Sequence, residues 1–331
     1  MEVVPDSLLG GSVPGLRSLF LKQAAFPALG KLLLSAPGLV ELSLCGIRDF
    51  VIINSEAMVD WLPSLTRLVN LQIEYQNLEL FHFLPSRQSH HPPPLTRTFL
   101  PVLTTLTLKS GSDYLDLLSS HLDAPLLKHV NMEFVRPAIF DFSKISQFIS
   151  RKESFEEFDQ AQMLWYDNLG EVGLRLSSRK GTTGGMWLEL WMEFDVKFWH
   201  LCSLAQVHHP FAEPLAAFGH FDYPYLEDGH APSWVSQTGN GQWLEFLRFF
   251  TAVENLYLSE SIARFIAPVL RELAAGESAA TARDVLPALQ TLFVEGLDLF
   301  DFGPVREATG KFVAARKLSD HPVAVHRWVG N

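Results

Sequence analysis

The chain has 331 residues, 47% apolar and 19% charged, so it can bury a large core and falls outside the composition of disordered segments. Its 26 Lys and Arg against 37 Asp and Glu leave a net charge of −11, which gives no electrostatic attraction to nucleic acid or to an anionic membrane. No apolar run approaches the roughly 20 residues of a membrane span, and residues 1–15 carry no basic segment followed by an apolar block, so no secretory signal is read. Cys45 and Cys202 are too few for a disulfide framework or a zinc site. They read as reduced thiols packed like small apolar residues, and a cytoplasmic or nuclear location is expected.

Leucine organises the rest: the chain has 52, of which 30 fall in the first 150 residues. After a short lead over 1–15, the pattern apolar-x-x-apolar-x-apolar recurs. Leu16-x-x-Leu19-x-Leu21 opens it, and Leu39-x-x-Leu42-x-Leu44, Leu68-x-x-Leu71-x-Ile73, Leu103-x-x-Leu106-x-Leu108 and Leu127-x-x-Val130-x-Met132 follow. Three weaker copies bridge the middle: Phe158-x-x-Ala161-x-Met163, Leu188-x-Leu190, and Leu215-x-x-Phe218-x-His220. Val253-x-x-Leu256-x-Leu258 and Leu289-x-x-Leu292-x-Val294 complete the series, with a mean spacing of about 30 residues. In a strand, alternate residues share a face, so the last two apolar residues of each copy point into a core and the residue between them points out. Those middle residues are Phe20, Ser43, Gln72, Thr107, Asn131, Gln162, Glu189, Gly219, Tyr257 and Phe293. Most are polar, which describes a half-exposed strand used repeatedly.

Between the strands, helical periodicity predicts helices over 26–36, 55–68, 112–122, 141–150, 195–207, 242–250, 259–275 and 304–318. Pro268 predicts a kink or break in the seventh of these. Three insertions interrupt the pattern, near 82–98, 177–185 and 208–241. The first holds His90-His91-Pro92-Pro93-Pro94. The second holds Gly181-Thr182-Thr183-Gly184-Gly185, flanked by Val172-x-Leu174-x-Leu176 and Leu188-x-Leu190, and reads as a turn between two strands. One strand and one helix per repeat predict an α/β leucine-rich-repeat solenoid. It is an irregular horseshoe with parallel strands on the concave face and helices on the convex face, a single domain over 16–331.

Catalytic signatures are missing. Gly181–Gly185 lacks a following Lys-Ser/Thr, and no serine sits in a Gly-x-Ser-x-Gly elbow. The run Glu153, Glu156, Glu157 and Asp159 reads as polar cover. His208, His209, His220 and His230 with Asp222, Glu227 and Asp228 offer metal-ligand chemistry without a recognised spacing, and the His208–Glu227 region is the basis of the alternative reading, a metal-dependent or hydrolytic enzyme. Trp187, Trp191, Phe194, Phe198, Trp199, Trp234 and Trp243 read first as core where the repeat is weakest, and second as lining for a partner groove, since Trp and Tyr dominate binding hot spots.

Several segments resemble the leucine-rich-repeat region of the large, divergent F-box-like domain-containing proteins of mushroom-forming fungi. They include Leu16-Arg17-Ser18-Leu19, Phe26-Pro27-Ala28-Leu29, Leu32-Leu33-Leu34-Ser35-Ala36, Ser55-Glu56-Ala57-Met58-Val59 and Pro92-Pro93-Pro94-Leu95-Thr96-Arg97-Thr98. Asp123-Ala124-Pro125-Leu126-Leu127, Gln147-Phe148-Ile149-Ser150-Arg151, Phe250-Thr251-Ala252-Val253, Asn255-Leu256-Tyr257-Leu258-Ser259 and Phe312-Val313-Ala314-Ala315-Arg316 continue the resemblance. It implies a substrate-recognition arm of a ubiquitin-ligase adaptor, with a Skp-type adaptor as partner only if an F-box is supplied upstream, because residues 1–15 are too few for one. The chain departs from regular repeats at Ala24, Ile47, Gln76, Gly111, Val135, Ser261 and Leu297, where an asparagine or cysteine is the rule. The expectation is therefore a non-enzymatic scaffold that needs no cofactor or metal. It grips a protein partner on the concave face through Phe20, Gln72, Asn131, Glu189, Trp191, Tyr257 and Phe293.

Overall fold

The computed structural model of the chain describes residues 2–3, 13–25, 28–47, 58, 60–75, 97–110, 121–135, 148, 160–166, 171–177, 187–193, 217–218, 239–248, 250–275, 285–295 and 303–328. They form a mixed α/β structure in which the strands are mostly parallel. In chain order the main strands are β1 (Ser18–Lys22), β2 (Glu41–Ile47), β3 (Asn70–Tyr75), β4 (Thr105–Ser110), β5 (His129–Val135), β6 (Gln160–Tyr166), β7 (Glu171–Ser177), β8 (Trp187–Glu193), β9 (Ala217–Phe218), β10 (Asn255–Leu258), β11 (Thr291–Glu295) and β12 (Ala324–Trp328). The helices are α1 (Leu29–Leu34), α2 (Asn240–Leu247), α3 (Glu260–Ala275) and α4 (Gly303–Leu318), with a 3-10 turn at Leu62–Ser64. The chain divides into two compact units, Met1–Phe155 with Met186–Met192, and Glu156–Gly185 with Glu193–Asn331.

In the first unit the strands run in the order β1-β2-β3-β4-β5-β8, and β1 to β5 are parallel neighbours. Their register places the repeated apolar residues in rows. Leu19, Leu42, Leu71, Leu106 and Val130 lie side by side, and so do Leu21, Leu44, Ile73, Leu108 and Met132. All of these except the edge residue Leu21 are buried. Removing such a side chain from water is worth about 1.5–3 kcal/mol each, so a one-residue slip, which would turn both rows outward, is strongly disfavoured.

Each of these strands is entered through the same four-residue turn: Val13-Pro14-Gly15-Leu16, Ala36-Pro37-Gly38-Leu39, Leu65-Thr66-Arg67-Leu68, Leu100-Pro101-Val102-Leu103 and Ala124-Pro125-Leu126-Leu127. The last N–H donates to the first carbonyl at 3.0, 3.1, 3.0, 3.4 and 3.3 Å. Proline in the second position presets the φ angle that the turn requires. One residue further on, the carbonyls of Arg17, Val40, Val69 and Thr104 each accept two successive N–H groups from the next strand, at 2.7–3.1 Å. This backbone ladder ties the strand entries together, at the opposite strand end from the positions that lack an asparagine.

The second unit has the strand order β7-β6-β9-β10-β11-β12. Here the expectation of wholly parallel strands is corrected: β6 and β7 are antiparallel, with Gln160 opposite Ser177 and Tyr166 opposite Glu171. Only four residues, 167–170, separate them, and a parallel crossover needs about a dozen or more. The remaining pairs are parallel, and Ala161, Phe218, Leu256, Leu292 and Val325 share one row. The weak copies at Ala161 and Phe218 therefore stand in register with the strong ones. The turn Leu286-Pro287-Ala288-Leu289 repeats the first unit's turn, closing at 3.1 Å, and the Glu254 carbonyl accepts from Gln290 and Thr291.

Of the kink or break predicted at Pro268, the break is absent: α3 runs continuously from Glu260 to Ala275. Pro268 is exposed, while Ile262, Ala263, Ile266, Ala267, Val269, Leu270 and Leu273 are buried, and the helix packs against α2, α4 and β11. That packing outweighs the roughly 3 kcal/mol that an internal proline costs. The Glu295 carboxylate accepts the Glu260 N–H at 3.1 Å, placing negative charge at the helix start. The α2 helix begins at Asn240, two residues earlier than predicted, because the Gln242 side chain accepts the Gly239 N–H at 3.0 Å. Around the predicted helix over 55–68, Met58, Asp60 and Trp61 are helical; the 3-10 turn and the entry turn of β3 then use the residues from Leu62 onward. Nearly all of the helices predicted over 112–122, 141–150 and 195–207, and of the insertions near 82–98, 177–185 and 208–241, lies outside the described residues. No helix among the described residues is long and apolar enough to cross a membrane.

Candidate functional site

The strand register that buries leucine on one side lines up the middle residues on the other. In the first unit Phe20, Ser43, Gln72, Thr107 and Asn131 occupy one row across β1 to β5. Ser18, Glu41, Asn70, Thr105 and His129 lie in a second row on the same face, and Lys22, Cys45, Glu74, Lys109 and Glu133 in a third. The central row is uncharged, and charges flank it. Phe20 is 66% exposed at the edge, whereas Ser43, Gln72, Thr107 and Asn131 are half-buried.

Hydrogen bonds run along and across these rows. The Ser43 hydroxyl donates to Gln72 Oε1 at 2.9 Å, and Gln72 Nε2 donates to Glu74 Oε1 at 2.7 Å. Gln72 is thereby held with its amide orientation set, which makes it a positioned polar contact. Cys45 Sγ lies 3.3 Å from the Ser43 hydroxyl, and burial pushes its thiol above the ordinary range. Lys109 and Glu133 form an ion pair. Asn131 Oδ1 is buried and has no hydrogen-bond partner among the described residues.

On β8, Glu189 is half-buried and its carboxylate accepts the Trp191 indole N–H at 3.2 Å. Trp191 itself is only 8% exposed, in keeping with packing rather than display. Trp187 meets the His129 ring at a centroid distance of 5.4 Å, and Trp243 is buried in α2 beside Phe246.

In the second unit the equivalent row is aromatic. Tyr257, Phe293 and His326 are in register on β10, β11 and β12. Tyr257 and Phe293 stack at 4.4 Å with an interplanar angle of 6°, and Phe293 and His326 at 5.6 Å and 29°. Tyr257 and Phe293 are half-buried, and His326 is exposed. His326 escaped the sequence reading because its strand breaks the apolar pattern, with Arg327 standing where the final apolar residue belongs. Val323-x-Val325 was the remaining signal.

The structure thus brings Phe20, Gln72 and Asn131 together in one row, and Tyr257 and Phe293 in another. The acidic run 153–159 lies outside the described residues, as does the His208–Glu227 region apart from Ala217 and Phe218, and among the described residues no cluster of His, Cys, Asp and Glu could hold a metal. No known protein-family model and no curated protein matches the chain.

Proposed function

We propose that the protein is a non-enzymatic interaction scaffold of leucine-rich-repeat type, and that a protein partner docks on the outward faces of its strands. The observation that carries this reading is the row Phe20–Ser43–Gln72–Thr107–Asn131, where the residues between the buried leucines fall side by side. A strand face of this kind offers one side chain per repeat at the fixed spacing of about 4.8 Å, which suits recognition of an extended surface. The charge-poor central row with charged flanks matches the general anatomy of interfaces, whose cores are depleted of charge. Within that reading the partner is a protein substrate, as for the recognition arm of an F-box-type ubiquitin-ligase adaptor. A Skp-type adaptor would join through an F-box supplied upstream.

The test is affinity capture from the protein's own cell lysate with a tagged full-length chain. It compares the native sequence, a face variant carrying Phe20→Ser, Gln72→Ala and Asn131→Ala, and a control carrying Lys311→Ser on α4. A specific protein recovered by the native chain and the control, and lost by the face variant, is the expected result. Equal recovery by all three, or no specific protein at all, contradicts the reading.

A further inference from the structure

We propose that Asn240-Gly241, at the start of α2, is a self-modification site: the asparagine deamidates with water as the sole co-reactant, and its two products act on α2 in opposite directions. It is the chain's one Asn-Gly pair. Both residues are exposed, and the position that a Gly241 Cβ would occupy has nothing within 4 Å. Without a Cβ, Gly241 is free to bring its nitrogen onto the preceding side chain. As the second residue of α2, it has no intrahelical acceptor for its N–H, and among the described residues no other carbonyl takes it.

The reaction requires Asn240 to leave its helical conformation, because the helix holds the Gly241 nitrogen away from Asn240 Cγ. Three hydrogen bonds resist that. The Gly239 carbonyl accepts the N–H groups of Gln242 at 3.0 Å and Trp243 at 3.2 Å, and Gln242 Oε1 accepts the Gly239 N–H at 3.0 Å. Gly239, Asn240, Gly241 and Gln242 are all exposed, and a terminal turn held by so few bonds opens locally. On opening, the Gly241 nitrogen bonds to Asn240 Cγ, the Cγ–Nδ2 bond breaks, and ammonia leaves with the former amide proton. Water then opens the succinimide at one of its two carbonyls. Cleavage between Cγ and nitrogen gives aspartate, and cleavage between the main-chain carbonyl carbon and nitrogen gives isoaspartate, whose chain runs through Cγ. The first turn of α2 has no acidic residue, so an aspartate at its first position complements the helix dipole and holds the turn. An isoaspartate inserts a methylene into the main chain, and the Gly239 carbonyl then loses its two donors. Trp243 registers the loss: it is 1% exposed and meets Phe246 edge-on, and Phe246 in turn meets Phe250. The proposal does not depend on the docking role of the outward rows, because it concerns α2 alone.

The test ages the full chain at neutral pH and physiological temperature, then maps its peptides for asparagine converted to acid and, by isoaspartate-specific methyl transfer, for isoaspartate. Asn240 is expected to convert about tenfold or more faster than Asn70, Asn131 and Asn255, which lie in strands and precede Leu71, Met132 and Leu256. Gly241→Ala slows the conversion about tenfold or more, and Gln242→Ala, which removes the side-chain bond to Gly239, speeds it about twofold or more. Conversion of Asn240 no faster than that of the strand asparagines, or an unchanged rate in either variant, overturns the proposal. Amide hydrogen exchange separates the two products. Relative to the unaged chain, the Trp243 amide exchanges about tenfold or more faster in the isoaspartate fraction and no faster in Asn240→Asp. An isoaspartate fraction with unchanged Trp243 exchange, or an Asn240→Asp variant with equally fast exchange, overturns the opposed action on α2.

Discussion

Gly46 is the residue on which the geometry of β2 turns. Its φ is 68°, and the register between β2 and β3 shifts there, so that Cys45 pairs with Glu74 and Ile47 with Tyr75. The strand bulges at that point, and the bulge needs a left-handed conformation that a Cβ opposes. Gly46→Ala is expected to cost about 1–2 kcal/mol, read as a lowered urea midpoint with unchanged slope. An unchanged midpoint would show that the bulge relaxes at no cost. Arg316 is a second position where local chemistry outweighs composition. It is 3% exposed, and its Nη2 donates to the carbonyls of Leu286, Pro287 and Leu289 at 3.3–3.4 Å, while Phe312 lies 6.0 Å from the guanidinium carbon. One buried arginine thus holds the entry turn of β11. In the sequence it reads only as a basic residue in a helix's last turn, because a buried role for an arginine depends on partners about 30 residues away.

At the scale of elements, the sequence made the strands legible and left the connections obscure. The rows through Leu42, Leu71 and Leu106 follow from a period that any core-facing strand must keep. Even the weak copies at Ala161 and Phe218 align, because the backbone register, not side-chain size, sets a strand's place. The entry turn was equally available in the recurrent prolines at 14, 37, 101, 125 and 287, yet a turn motif is inconspicuous beside a leucine repeat. The antiparallel β6-β7 pair was missed because its signal is the brevity of residues 167–170, and brevity carries no hydrophobic pattern. Pro268 is the opposite case: a local rule predicts a kink or a break, and tertiary packing keeps the helix continuous. Its ring is exposed and its neighbours on the buried face are intact. Pro268→Ala is therefore expected to stabilise the chain, by up to the roughly 3 kcal/mol that an internal proline costs. Thermal unfolding measures it: a raised midpoint is expected, and a lowered one would mean that the proline itself is needed for the packing of α3 on α4.

For the whole molecule, the leucine periodicity and the outward row are two consequences of one alternation. Each copy commits two side chains to the core and releases the one between them, so the length of the repeat series sets the length of the outward row. The two units use that row differently. The first presents a polar, hydrogen-bonded line fixed by Ser43 and Gln72, and the second an aromatic one fixed by the Tyr257–Phe293 stack. That contrast was only half legible in the sequence: the identities were there, but the stack arises from a register that brings residues 36 positions apart to 4.4 Å. Trp191, singled out for its residue type, turns out to be packed and bonded to Glu189.

The most direct test of the docking role of the outward rows is a labelling footprint with the captured partner bound. In a background carrying Cys45→Ser and Cys202→Ser, single cysteines are placed at Ser43 and Thr107 on the outward row and at Lys311 on α4, and their rates of alkylation are compared with and without the partner. The account predicts that the partner slows alkylation at Ser43→Cys and Thr107→Cys by about tenfold or more and leaves Lys311→Cys unchanged. Protection of Lys311→Cys with both row positions still reactive would contradict it.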